Sequence, residues 1–297
     1  DQLEASLIYT RFHGISSRSN RLLALVRSRL TKHSSLSGSN IETGVGDAYQ
    51  ELLQHCRHTY CTSRESLLRT TVRMHMDKLK EQHGPVGMTR LASVFLIRLC
   101  TVETSLYQDF FGERKEGSDD STKENPTTKK MDDSASKDTE FQAYLTSLCS
   151  SLHRTVRRAL VTMLDLDTLC QIVSVLREER SMASSSPTTV AAARAISKII
   201  EDAQERLIFC ANSTLTKDVV KFKPIPSDLD YPDKLRKKDK SDAATDEDAV
   251  EQQLQQVYES WFPPLRTVLK ILSKIFRVVE AKVFEDMALY SVQSCTR

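Results

Sequence analysis

The sequence predicts an all-α protein, an array of elongated antiparallel helical bundles forming a rod, and three observations lead there. Glycine and proline number only eight each in 297 residues, too few to punctuate many short strands. Apolar side chains recur at three- and four-residue spacing through nearly every long segment. The one strand-like run, VVKF from Val219 to Phe222, has no second strand to pair with. No fixed repeat period is visible, so a solenoid of a named type is not inferred.

The elements follow in order. Leu22, Leu23, Val26 and Leu30 make an amphipathic helix with Arg18, Arg21, Arg27 and Arg29 on its other faces. A polar, glycine-bearing loop over 31–46 follows, and Asp47 is placed to cap a second helix carrying Leu52, Leu53, Cys56, Tyr60, Leu67, Leu68, Val72 and Leu79. His83-Gly84-Pro85 stops it, because glycine ends helices and proline forbids their continuation. Leu91, Phe95, Leu99, Val102, Leu106 and Phe110, widened by Val94, Leu96 and Ile97, predict a third helix buried on more than one side. Residues 112–139 mix both charge signs with Ser, Thr and Asp and offer almost nothing to bury, so a disordered linker is expected.

Helical spacing resumes through Phe141, Tyr144, Leu145, Leu148, Leu152, Val156 and Leu160. An aspartate cap within Asp165-Leu166-Asp167 separates it from a helix through Leu169, Ile172, Val173 and Leu176. After a loop at 181–189, Ile196, Ile199, Ile200, Ala203 and Leu207 mark the next. The stretch KFKPIPSDLDYPDKL holds three of the eight prolines. Each fixes its own φ and biases the residue before it towards extended backbone, so helix is excluded there. Residues 219–235 are expected to form an extended strap, with Phe222, Ile225, Leu229 and Tyr231 as anchors between the rigid points Pro224, Pro226 and Pro232. It would lie against the helices of Leu207 and Leu269; an exposed linker between bundles is the alternative. A charged, disordered loop over 236–250 leads to WFPP, where Pro264 suits a helix's first turn. One last helix then carries Leu265, Val268, Leu269, Leu272, Ile275, Phe276, Val279 and Val283. The expected organisation is a first helical bundle region at 1–111, the linker at 112–139, and a second bundle region at 140–297.

Composition narrows the function classes. The formal charge of +2, from 42 basic and 40 acidic side chains, creates no field to steer an anionic polymer, so nucleic acid is not an expected partner. Seven scattered cysteines, an odd number, suit reduced thiols better than a disulfide framework. No apolar run approaches the ~18 residues needed to span a bilayer, and the expectation is a chain that does not cross a membrane. It opens on Asp1 and is expected to be a piece of something longer.

Few residues suggest chemistry. His55, His58 and Cys61 in HCRHTYC lie three apart and could share a helix face, but zinc needs about four ligands and no second Cys or His cluster exists. A buried cysteine beside solvated histidines is the competing account. Glu178-Glu179 and Asp165-Asp167 read as caps and solvated ends, not as converging acid–base pairs. Gly44-Val45-Gly46 lacks the further glycine and the strand of a phosphate-binding loop. Arg154, Arg157 and Arg158 form a basic cluster that could meet a phosphate or an acidic membrane, or simply pair with a neighbouring helix. No catalytic residue, metal or cofactor is assigned.

From Asp202 the chain reads DAQERLIFCANSTLTKDVVKFKPIPSDLDYPDKL, and from Trp261 WFPPLRTVLKILSKIFR. With YCTSRESLL from Tyr60 and LYQDFF from Leu106, these runs resemble the family of third subunits of the conserved oligomeric Golgi complex, over its middle to C-terminal helical region. Residues 112–139 and the loop after Leu235 depart from the family pattern. The resemblance implies a non-enzymatic helical rod of the kind found in multisubunit tethering complexes. It also implies a peripheral position on the cytosolic face of the Golgi, held through partners, and work in retrograde intra-Golgi transport and retention of glycosylation machinery. The implied partners are the other subunits of that complex, SNAREs, Rab GTPases and golgins. Trp261, Pro264, Arg266, Leu269 and Leu272 are the family-like helix motif. Another helical-rod tether or adaptor, or a zinc-binding module around His55, His58 and Cys61, is the alternative.

Overall fold

A computed structural model describes residues 2–35, 43–112, 138–230 and 261–295. Every regular element among them is helical: α1 (Gln2–Ser35), α2 (Thr43–Gln82), α3 (Pro85–Phe111), α4 (Thr139–Thr162), α5 (Leu166–Ser184), α6 (Val190–Leu215), α7 (Pro263–Ile275) and α8 (Ala281–Cys295), with short 3-10 turns at Pro187–Thr189 and Pro226–Asp228 and a π-helical turn at Thr216–Val220. The chain is all-α. The linker at 112–139, apart from its ends, and the loop at 236–250 fall outside the described residues.

Two compact units form, one from Asp1–Ala159 with Val175–Ile200 and one from Leu160–Ser174 with Glu201–Arg297. The expected division at 112–139 is therefore corrected: α4 belongs mostly with α1–α3. The reason is packing on α3, where Phe141 stacks on Tyr107 at 4.1 Å and the Cys149 and Cys100 sulfurs meet at 3.6 Å.

In the first unit α3 is the core helix. Met88, Ala92, Leu96, Cys100, Leu106 and Tyr107 are all buried, each large one contributing about 1.5–3 kcal/mol by leaving water. Against expectation, this 27-residue helix is long and apolar enough to cross a membrane by length and composition. Here it is a core helix whose Glu103 is buried and ion-paired to Arg64. Pro85 opens it after Gly84, as the sequence predicts. At its other end Asn20 Nδ2 donates to Phe110 O and Gly112 O at 3.1 and 3.0 Å, and Arg27 Nη2 to Phe111 O at 2.6 Å. These satisfy carbonyls that a helix end leaves open. Serving them brings Asn20 and Arg27 onto the packed side of α1 with the predicted Leu23, Val26 and Leu30, which are half-buried, while Leu22 of the predicted stripe is exposed.

Other boundaries move as well. α2 starts at Thr43, so Asp47 lies inside it instead of capping it. α5 runs to Ser184, which shortens the expected 181–189 loop. VVKF is not a strand: Thr216–Val220 is a π-helical turn that continues α6, with Val219 buried. The aspartate cap expected before α5 is present, with Thr168 N and Oγ1 both donating to Asp165 Oδ2, at 2.9 and 2.5 Å.

In the second unit Leu169, Ile172, Ala203, Leu207, Ala211, Leu215, Val268, Ile271 and Ile275 are buried. The single last helix of the sequence reading is two, α7 and α8, with a turn between them. Val278 and Val279 are buried in that turn, and Gln204 Nε2 donates to Val278 O at 2.7 Å. A partner from α6 thus supplies the hydrogen bond that helix continuation would have supplied.

Candidate functional site

Three places bear on function: a polar centre and a basic groove in the first unit, and the proline-bearing motifs in the second.

Arg64 follows Tyr60 and precedes Leu68 by one turn each, which puts it on the apolar face of α2. Its side chain and that of Glu103 are fully buried. Nε and Nη2 donate to the Glu103 carboxylate at 3.1 and 2.6 Å, Tyr144 Oη donates to it at 2.7 Å, and Tyr9 Oη donates to it as well. The guanidinium also lies 4.8 Å from the Tyr9 ring centroid and 4.6 Å from that of Phe12. Burial alone would lower the Arg64 pKa, but the hydrogen bond and charge of Glu103 overcome it and hold it above its ordinary value. Burial, then the Glu103 charge, drives the Tyr9, Tyr60 and Tyr144 phenols far upward. Arginine and phenols are thus fixed in the protonated forms they already hold, which makes a structural tie and not acid–base machinery.

The basic groove lies between α2 and α4, encloses about 530 Å³, and has Arg69, Arg73, Arg154 and Arg158 on its walls. Val72, Met76 and Leu148 form its floor and are themselves buried. Glu65 sits at one end, taking hydrogen bonds from Ser147 at 2.7 Å and Arg69 at 2.6 Å, which hold its carboxyl below the usual range. Of the basic cluster read from the sequence, Arg154 and Arg158 enter this groove and Arg157 does not line it.

His55, His58 and Cys61 do not converge. Three-residue steps turn a helix by ~300° each, so His55 and Cys61 end ~120° apart. His58 pairs with Glu140, His55 is exposed, and Cys61 is buried with its thiol pushed up to about 12 by burial and then by nearby carboxylates. No group of three or more His, Cys, Asp or Glu able to hold a metal occurs among the described residues. The zinc-module alternative is corrected on that geometry. The acidic pairs are structural too, with Asp165 capping α5, Asp167 meeting Lys274 at 2.5 Å, and Glu178 meeting Arg90 at 2.6 Å.

In the second unit Pro264 is buried in the first turn of α7, and Arg266 N donates to Phe262 O at 3.1 Å. The buried stripe is Pro264, Val268, Ile271 and Ile275. Of the motif residues, Leu269 and Arg266 are exposed, and Trp261 and Leu272 half-buried. Residue 225 is extended, as its following proline requires, with φ −98° and ψ 158°. The docked strap is corrected at two anchors: Ile225 and Leu229 are 57% and 59% exposed. Pro224 and Pro226 are exposed as well. Of the anchors among the described residues, Phe222 packs, edge-on to Phe262 at 5.6 Å. Tyr231 and Pro232 lie outside the described residues. Pro226 holds Ile225 extended and the chain then turns through Pro226–Asp228, which limits how many side chains can reach one surface.

Residues 5–297 match the family model described as Conserved oligomeric Golgi complex subunit 3, C-terminal. The chain belongs to this family. Curated relatives called Conserved oligomeric Golgi complex subunit 3 align with it across distant organisms. The Aedes aegypti protein is 23% identical over 330 residues, covering 98% of this chain and 33% of that protein. The Homo sapiens protein is 24% identical over 288 residues, covering 83% and 32%. The Dictyostelium discoideum protein is 28% identical over 171 residues, covering 52% and 18%. The chain spans about a third of the length of the first two of these relatives. No solved structure matches it.

Within this subunit 3 C-terminal segment, sequence reasoning missed Arg64, Glu103, Arg69 and Arg73. A signal for the first two exists. Arg64 is in phase with Tyr60, Leu68 and Val72, and Glu103 with Leu96, Cys100 and Phe110, so each charge interrupts an apolar stripe. Arg69 and Arg73 carry no such signal, because their meaning depends on which helix faces them.

Proposed function

We propose that the chain is a non-catalytic, helical scaffold segment of a Golgi vesicle-tethering complex subunit. The observation that carries this reading is the family match over residues 5–297, on a chain whose described residues are all-α. It is supported by the fate of the reactive side chains, which are spent on caps and ion pairs that hold helices together. In this reading the whole protein sits peripherally on the cytosolic face of the Golgi through its partners, the other subunits of the conserved oligomeric Golgi complex. It engages SNAREs, Rab GTPases and golgins in retrograde intra-Golgi transport, and so keeps glycosylation machinery in place. Helices suit such a role because rigid rods present separated faces to several partners at once.

The test is purification of the tagged full-length protein from cells, with identification of what accompanies it. The expected result is a stable assembly containing the other subunits, and loss of Golgi glycosylation enzymes when the protein is depleted. A full-length protein that purifies without any of those subunits refutes the proposal.

A further inference from the structure

The groove between α2 and α4 has a charge arrangement that helix packing alone does not require. Arg69 and Arg73 stand one turn apart on α2, and Arg154 and Arg158 one turn apart on α4. Like charges at that spacing repel. The carboxylates present are Glu65, already engaged by Arg69 and Ser147, and Asp77. Among the described residues Arg73, Arg154 and Arg158 take part in no ion pair or hydrogen bond. All four guanidiniums are exposed at their helix surfaces, yet they line one shared recess.

We propose that this groove binds a small polyol carrying two or more phosphomonoesters. Guanidinium forks match phosphate oxygens two at a time, and the unpaired Arg73 on one wall with Arg154 and Arg158 on the other call for at least two phosphates. The enclosed volume of about 530 Å³ is that of a small-molecule site, ~300–1,000 Å³. An acidic peptide fits less well, because the apolar floor of Val72, Met76 and Leu148 is already buried and offers no pocket for anchoring side chains. A flat anionic bilayer fits less well too, since its charges would meet the rim and not the recessed walls. Such a ligand has two sources, a soluble inositol phosphate or the headgroup of a polyphosphoinositide. The proposal does not depend on assembly with other subunits.

Isothermal titration of the purified chain with inositol trisphosphate tests it. Saturable one-to-one binding is expected, weakened by about tenfold or more in Arg73→Gln and in Arg154→Gln. Arg180→Gln, exposed and outside the groove, should bind as the wild type does. Circular dichroism of each variant confirms that the fold is kept, which surface substitutions permit. Arg154→Lys should fall between, because it retains charge and loses the fork. Flotation with phosphatidylcholine vesicles doped with phosphatidylinositol bisphosphate then separates the sources. Capture by these vesicles, and not by phosphatidylserine vesicles of equal charge, assigns the lipid headgroup. Binding of the soluble probe alone assigns a soluble ligand. The proposal is overturned by absent binding, by groove variants that bind normally, by equal loss in Arg180→Gln, or by equal capture on phosphatidylserine. Displacement of the probe by a glutamate-rich peptide at matched concentration would overturn it in favour of an acidic protein partner.

Discussion

Replacing Glu103 by glutamine tests the polar centre of the first unit. The carboxylate takes two hydrogen bonds from Arg64, at 3.1 and 2.6 Å, and one each from Tyr144 and Tyr9. Glutamine keeps the size but loses the charge, and turns one acceptor into a donor aimed at donors. Arg64, fully buried, would then carry an uncompensated charge. The expected loss is roughly 3–5 kcal/mol, the usual cost of breaking a buried pair from one side. That is a large share of a typical stability of ~5–15 kcal/mol. Removing both charges should be much milder. With Arg64→Met and Glu103→Leu, plus Tyr9→Phe and Tyr144→Phe to spare the stranded hydroxyls, stability should return to within ~2 kcal/mol of wild type. Urea unfolding followed by far-ultraviolet circular dichroism is the assay. Trp261, the only tryptophan, sits in the other unit and serves as an internal reference. If Glu103→Gln costs under ~1 kcal/mol, or the charge-free variant is as damaged as the single one, burial of the pair does not control stability here.

Three further outcomes follow from the geometry. Asp165→Ala should cost ~0.5–2 kcal/mol at neutral pH through loss of the α5 cap. The Thr168 hydroxyl and N–H hold the Asp165 carboxyl below its ordinary 3.8, so this stabilisation is present above that pH and fades as pH falls through the folded-state value; urea midpoints of the two proteins should converge in acid. His75, whose ring lies tilted against Phe95 with centroids 4.1 Å apart, is held below its ordinary 6.5 by burial and then by Lys78. Its contribution is therefore full above that pH and lost as pH drops through the folded value, and His75→Gln should flatten the stability profile across that window. Phe222→Ala should lower stability by more than ~0.5 kcal/mol, whereas Ile225→Ala and Leu229→Ala should each stay within about 0.5 kcal/mol; equal effects at all three positions in chemical denaturation would show that the extended segment is docked after all.

Much of the helix content was legible in the sequence because local signals decide it. Gly84-Pro85, Asp165 and Pro264 act within one turn of where they stand, and each marks a boundary in the fold. What escaped depended on distant partners. Nothing local distinguishes 276–280 from helix, since the break is stabilised by Gln204 from α6. On α1 the stripe of Leu23, Val26 and Leu30 was legible, but not that Asn20 and Arg27 join the same side to serve α3 and that Leu22 stays outside it. The strap was overread: aliphatic side chains in a proline-rich stretch suggested anchors, but Ile225 and Leu229 meet solvent. Of the groove, only Arg154 and Arg158 could be singled out, because a cluster on one helix shows in sequence and a pairing between two helices does not.

The Arg64–Glu103 contact also acts as a gauge of axial register between α2 and α3. Apolar stripes are forgiving, because sliding one helix along another by a turn, ~5.4 Å, exchanges one leucine for the next. A buried cation and the carboxylate it pairs with admit one alignment. Any slip would leave both charges in an apolar interior, so the pair excludes the near-degenerate alternatives that long helices invite. It follows that a single-residue insertion between Arg64 and the α2–α3 turn, which rotates the helix by ~100°, should be far more disruptive than the same insertion near the α2 N-terminus. Length changes in this pair of helices are thereby confined to their far ends and to the segments that join them to the rest of the chain.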